Sequence, residues 1–156
     1  MATEQNDNPG VIAPPPLIFA IPLIAGILVG RAYPFQVMPR PLGLAIGGVL
    51  AVLAIALNIW ALPKFSQAGT PMMPYKPTTA IISSGPFAIT RNPLYVAMTL
   101  LYLGITLLVN TVWPLVLLPF VLFAMQRGVI EREERYLERK FGDEYTTYKS
   151  SVRRWL

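Results

Sequence analysis

NPLYVAMTLLYLGITLLVNTVWPLVLLPFVLFAMQ, Asn92 to Gln126, is the stretch that decides the fold. It runs for 35 residues without a charged side chain. At ~1.5 Å rise per residue, one helix of that length overshoots a ~30 Å hydrocarbon layer. The run divides at Asn110-Thr111, with Pro114 just beyond, and so reads as two apolar helices joined by a tight turn. Two shorter charge-free runs lie upstream, Asn8–Gly30 and Pro41–Pro63. Together they predict an all-α integral membrane protein with four spans, at about 14–33, 42–63, 93–109 and 112–130.

Composition agrees. The 156-residue chain is 54% hydrophobic and 13% charged, with a mean hydropathy of +0.50; a soluble domain carries ~25% charged residues. The expected organisation is one membrane domain over 1–156. Residues 1–63 supply two structural spans, 64–92 a connector, 93–130 a helical hairpin, and 131–156 a C-terminal helix and tail. The start MATEQNDNPG holds no basic residue, and the first apolar run has no clear small-residue cleavage site after it, so a cleavable signal peptide is not expected.

Charge placement sets topology. Lys64, Lys76 and Arg91 lie in the connector, and Arg127 onward is a charged tail. With four spans these share a side with the N-terminus, cytoplasmic by the positive-inside rule, in an inner or plasma membrane. Arg31 and Arg40 oppose that bias slightly. The net charge of +5 thus reads as topogenic and lipid-facing, not as a nucleic-acid surface. With neither cysteine nor histidine present, the chain has no thiolate nucleophile and lacks the commonest general base and metal ligand.

In the first half, Gly43, Gly47 and Gly48 suit close helix packing, Asn58 an interhelical hydrogen bond, and Trp60 an interface anchor. The connector KFSQAGTPMMPYKPTTAIISSGPFAITR is too polar and proline-rich to span, yet too apolar for a flexible linker, and reads as an ordered cap against the bundle. Asn92-Pro93 then makes a helix start, with Asn92 as side-chain cap. Arg91 beside that helix end is either a topogenic cation or part of a carboxylate or phosphate pocket.

Beyond span four the helix continues as QRGVIEREERYLERKFG. On a straight wheel Ile130, Leu137 and Phe141 share a face that includes Glu134. Glu133 lies at its flank and Arg127 two turns before Glu134, while Arg132, Arg135 and Arg139 point away. Either these glutamates pair with basic residues on a solvated helix, or an acid faces inward toward a polar ligand. Gly142 ends the helix, and Tyr145, Tyr148 and Trp155 in the tail suit the membrane interface.

The blocks GTPxxPxxPTTAIISSGPFxxxRNPxY and EREERYLERKFGDEYTTYKSSVRRW flank the apolar helix pair. In that order and spacing they resemble the isoprenylcysteine carboxyl methyltransferase-like family of integral membrane methyltransferases, grouped with the phospholipid methyltransferases. The resemblance covers about Gly69–Trp155. It implies an enzyme using S-adenosylmethionine on the cytosolic side, with a lipophilic acceptor entering from the bilayer. Carried over by position, the cofactor-contacting stretch is Thr79, Ala80, Ile81 and Ile82, the aromatic is Phe87, and the following element is Arg91, Asn92, Pro93, Leu94 and Tyr95. The acidic contact falls on Glu133, with Glu134 as the alternative. Arg91 and Tyr95 are also the implied catalytic groups, together with Arg127. Family members commonly carry histidine where this chain has Asn92. Eukaryotic carboxyl methyltransferases place a substrate arginine four residues before the glutamate, where Val129 stands here, leaving Arg127 nearby.

An isoprenylcysteine-like carboxylate, a phospholipid amine or a small thiol all fit as acceptor, and no residue pattern sets an oligomeric state. Two rival readings are an NADPH-dependent membrane reductase related to the sterol reductases, and a non-enzymatic lipid- or partner-binding scaffold. The short tail and weak basic pocket for a 2′-phosphate count against the reductase.

Overall fold

The structure, a computed structural model, describes residues 7–156, so the first six residues of the expected membrane domain lie outside it. Its helices are α1 (Pro15–Ala32), α2 (Arg40–Gln67), α3 (Pro93–Val109), α4 (Trp113–Met125), α5 (Glu131–Phe141) and α6 (Asp143–Ser151). Among the described residues there are no strands, only an isolated parallel bridge between Thr90 and Arg153. α1, α2 and the continuous helix beginning at Trp113 are long and apolar enough to cross a membrane. The 17-residue α3 is at the short end of the spanning range. Ile21, Val52, Ile59, Phe120 and Phe123 are exposed on these helices, where lipid rather than water suits them.

The turn that divides the long apolar run is built on Asn110, in left-handed backbone conformation at φ 58°. A short polar side chain tolerates that conformation best among non-glycine residues. Its amide is also engaged: Oδ1 accepts from the Val37 and Met38 N–H groups, both at 3.2 Å, and Nδ2 donates to the Met38 carbonyl at 2.9 Å. One residue therefore closes the α3–α4 turn and pins the α1–α2 loop beneath it.

α3 and α4 are neighbours through this turn, yet each buries its main face elsewhere: α3 runs along α2, and α4 along α1. Small residues set the spacing, as they must where lipid removes the hydrophobic drive between helices. A Cβ on Gly47 would lie 2.8 Å from the Gly104 carbonyl oxygen, and one on Gly26 2.7 Å from the Pro114 nitrogen. Gly43 likewise abuts the Leu107 carbonyl, but a Cβ on Gly48 would meet open space, so no close helix approach requires glycine there. Asn58 also departs from expectation. Its Nδ2 donates to the Ala54 carbonyl one turn back in the same helix, at 3.0 Å, so its amide is satisfied within α2 instead of bridging helices.

The core is a cluster of Phe19, Tyr95, Tyr102, Val121, Met125, Val129 and Ile130. Tyr102 meets Phe19 edge to face at 6.2 Å, and its hydroxyl donates to the Pro114 carbonyl at 2.8 Å. The buried phenol is thus satisfied at both its apolar and polar ends.

Between α4 and α5 the helix widens into a π turn, Gln126–Ile130. Such a turn holds one more residue than an α-turn and resets the phase of everything after it. α5 is the charged continuation beyond the apolar span. At Gly142 (φ 53°) the chain turns into α6. The tail then folds back onto the bundle: Tyr145 is buried, Tyr148 donates to the Phe87 carbonyl at 2.7 Å, and Trp155 Nε1 donates to Gln126 Oε1 at 3.2 Å. These aromatics, expected at the membrane interface, are turned onto the protein because Tyr148 and Trp155 find acceptors there and Tyr145 reaches toward Arg91.

Candidate functional site

The connector owes its order to local bonds. Thr79 N–H donates to Thr70 Oγ1 at 3.0 Å and Thr79 Oγ1 donates to the Gly69 carbonyl at 2.8 Å, closing a loop. Gly69 makes that closure with φ 65°. Thr78 N–H donates to the Tyr136 hydroxyl at 3.1 Å, tying the loop to α5. A 3₁₀ turn, Gly85–Ala88, then buries Phe87, which stacks edge-on against Phe65 of α2 at 5.5 Å.

Under this cap lies a cavity of about 330 Å³, within the usual range for a small-molecule site. Its walls are largely apolar: Met72, Met73, Ala80, Ile81, Ile82 and Phe87 from the connector, Pro93, Leu94, Tyr95 and Met98 from α3, and Pro14, Pro15 and Pro16 from the start of α1. Arg91, Asn92, Glu133 and Glu134 bring the charge and polarity, with Tyr136, Tyr145 and Tyr148 around them. Of the candidate site residues taken from the sequence, only Thr79 and Arg127 do not line it. Thr79 is committed to loop closure. Arg127 pairs with Glu131 one turn on, at 3.1 Å, on an exposed face. The π turn is the reason: a straight wheel sets Arg127 near Glu134, and the added residue rotates it away.

Glu133 and Glu134 have opposite surroundings. Glu134 is 6% exposed and held by two guanidinium groups. Arg91 Nη1 lies 3.0 Å from Oε1, while Arg154 forks onto it, with Nε 2.8 Å from Oε1 and Nη2 2.6 Å from Oε2. Glu133 is not paired with a cation among the described residues. Its Oε1 accepts from the Tyr95 hydroxyl at 2.7 Å. Burial pushes this carboxyl up to about 7, the nearby Glu134 charge adding to the effect and the Tyr95 bond opposing it. Burial likewise pushes Tyr145, 3.5 Å from Arg91 Nη1, up to about 12, so its phenol stays neutral.

Arg91 is the other distinctive group. Its side chain is 9% exposed, and its Nε is buried without a hydrogen-bond partner among the described residues. A buried guanidinium donor without an acceptor is costly, so Arg91 keeps unused hydrogen-bonding capacity beside the cavity. The helix end beside it differs from expectation. Asn92 precedes α3, but its side chain does not cap the helix. Nδ2 instead donates to the Arg154 carbonyl at 2.9 Å, because the tail brings that acceptor within reach.

Two contributions were not foreseen. Arg154 sits 20 residues beyond its partner Glu134, too far for helical spacing to reveal. The N-terminal segment also closes the site's edge. Asp7 accepts from Tyr136 at 2.8 Å and from Lys140 at 2.6 Å, Arg132 donates to the Gly10 carbonyl at 2.7 Å, and Ile12 N–H donates to the Gly128 carbonyl at 3.1 Å. The proline run at 14–16 was the only sequence signal, and it also suits an ordinary helix start.

The chain is 47% identical over 64 residues to an uncharacterized protein of Haemophilus influenzae, an alignment covering 40% of this chain and all of that protein. No solved structure matches. The family model for phospholipid methyltransferase matches residues 42–144, from the start of α2 to the start of α6, and so contains Arg91, Tyr95, Glu133 and Glu134. The chain belongs to the phospholipid methyltransferase family, a family of membrane methyltransferases.

Proposed function

We propose that the protein transfers a methyl group from S-adenosylmethionine to a lipophilic acceptor drawn from the bilayer. The site would face the cytoplasm of an inner or plasma membrane, with both chain ends on that side. The observation that carries the proposal is the Nε of Arg91, unpartnered among the described residues, beside a mostly apolar cavity that also holds the carboxyl of Glu133, which pairs with no cation among those residues. That donor set suits a zwitterionic nucleoside: Arg91 for its carboxylate, Glu133 for its ammonium or ribose hydroxyls, and Ile81, Ile82 and Phe87 for its base. Of the two glutamates, Glu133 is the better contact, because Glu134 is already occupied by Arg91 and Arg154.

When bound, the cofactor supplies an electrophilic methyl group on a sulfonium, and its displacement by a carboxylate, amine or thiolate needs little acid–base help. The chain's own task is therefore to align and enclose. Rigid placement of two reactants supplies ~7–11 kcal/mol of a barrier. Tyr95 orients Glu133, and the aliphatic walls with Met98 exclude water. The acceptor class proposed is a carboxylate of isoprenylcysteine type, a phospholipid amine or a small thiol.

The test is titration calorimetry and thermal shift on purified protein in detergent, with S-adenosylmethionine and NADPH in parallel. Transfer of labelled methyl into a total lipid and small-molecule extract would follow, with mass identification of the product. Binding of the methyl donor, weakened by Arg91→Ala and by Glu133→Ala, supports the proposal. Binding of NADPH alone would redirect it to a reductase, and binding of neither by folded protein would favour a scaffold.

A further inference from the structure

The trio Arg91–Glu134–Arg154 has one carboxylate for two guanidinium groups, and the fork from Arg154 engages both carboxylate oxygens. Arg91 reaches the same carboxylate through Nη1, 3.0 Å from Oε1, while its Nε has no partner among the described residues. We infer that Arg154 is a positioning residue, neutralising Glu134 so that the Arg91 charge remains available to an anionic group in the cavity. Arg154 lies outside the residues that the family model matches and does not itself line the cavity.

The geometry separates this electrostatic role from a structural one. The backbone around Arg154 is fixed independently of its side chain. Its carbonyl accepts from Asn92 Nδ2 at 2.9 Å and from Thr90 Oγ1 at 3.2 Å, and the Arg153 carbonyl accepts from Arg91 N–H at 2.9 Å. Those bonds survive truncation of the side chain, so Arg154→Ala leaves the segment docked. What it removes is the fork. Glu134, deprived of its bidentate partner, then takes Arg91 wholly for itself, because a buried carboxylate is costly unless paired. The cavity loses its surplus positive charge, and an arriving carboxylate meets a neutral pair.

The inference rests on the methyl-donor reading of the site, and the experiment keeps the two apart. The probes are S-adenosylhomocysteine, which carries the amino-acid carboxylate, and 5′-methylthioadenosine, which shares the nucleoside thioether but lacks it. Both are titrated by calorimetry against wild type, Arg154→Ala, Arg154→Lys, and the double variant Arg154→Ala with Glu134→Gln. The expected result is about tenfold weaker binding of S-adenosylhomocysteine to Arg154→Ala, equivalent to about 1.4 kcal/mol. Binding of 5′-methylthioadenosine should be unchanged. The double variant should recover most of the loss, since the neutral amide introduced by Glu134→Gln no longer claims Arg91, and Arg154→Lys should lie between. Equal weakening of both probes, or no recovery in the double variant, would overturn the inference while leaving the methyltransferase proposal standing. If wild type binds neither probe, the proposal falls and the inference with it.

Discussion

Tyr95→Phe isolates one bond in the site. It removes a donor 2.7 Å from Glu133 and leaves the ring, which is 9% exposed, in place. The bond favours the ionised carboxylate and opposes the burial that holds Glu133 near 7. A hydrogen bond to a charged group contributes about 1.5–3 kcal/mol, and each pH unit of titration midpoint corresponds to about 1.4 kcal/mol. Losing it should raise the Glu133 midpoint by about one to two pH units. At neutral pH the ionised fraction then falls from about one half to about a tenth or less. If the ligand's ammonium requires the carboxylate, affinity at pH 7 drops about five- to fiftyfold and recovers as pH rises above the new midpoint. The assay is calorimetric titration with S-adenosylhomocysteine from about pH 6 to about pH 10, bracketing both midpoints. A loss of affinity equal at every pH would mean that Tyr95 touches the ligand directly, and an unmoved midpoint would refute the reasoning. The wild-type titration also has a sign for stability. The folded chain keeps Glu133 neutral up to about 7, whereas the unfolded chain ionises it near the ordinary 4.5. The folded state binds the extra proton between those values, so stability falls as pH rises through that window.

Two adjacent glycines should respond in opposite directions. Gly47→Ala places a methyl against the Gly104 and Leu108 backbone and should cost about 1–3 kcal/mol in detergent unfolding. Gly48→Ala meets nothing within 4 Å and should be neutral or stabilising by up to about 1 kcal/mol. Arg127→Ala should leave methyl transfer within about twofold of wild type, because exposed ion pairs of this kind contribute little; a collapse in turnover would return Arg127 to the site. Tyr136→Phe removes the hydroxyl shared by Thr78 and Asp7. Faster amide exchange in both flanking segments should follow, with a stability loss of about 1–3 kcal/mol, and unchanged exchange would show that the hydroxyl holds neither.

The spans were readable because charge-free length is a direct consequence of bilayer thickness. The acid-bearing face of α5 was readable too, since Glu134 broke an otherwise apolar helical stripe. Arg127 was misplaced because side-chain periodicity carries no mark of a π turn, whose extra residue is a backbone event. Asn92 illustrates a different limit. Its position at a helix start was visible, but the competing acceptor on Arg154 arrives from 62 residues away. Arg154 itself escaped notice for the same reason, as did the inward orientation of Tyr145 and Tyr148. Local rules locate helices and stripes, whereas the partners of a polar group depend on which segments the fold returns to it.

The π turn at Gln126–Ile130 makes the site depend on a count of residues as well as on their kinds. An α-helix advances about 100° per residue, so winding the same residues regularly, without the extra one taken up in the turn, would swing all of α5 by about that angle. Glu133 and Glu134 would then keep their chemistry and lose the cavity, whereas deleting one residue from the turn restores regular winding with α5 still in phase. A scan of substitutions across Gln126–Ile130 would register only modest effects on that phase, because no single side chain there encodes it. A scan of single deletions would find the turn as the stretch of this helix where losing one residue leaves the site in place.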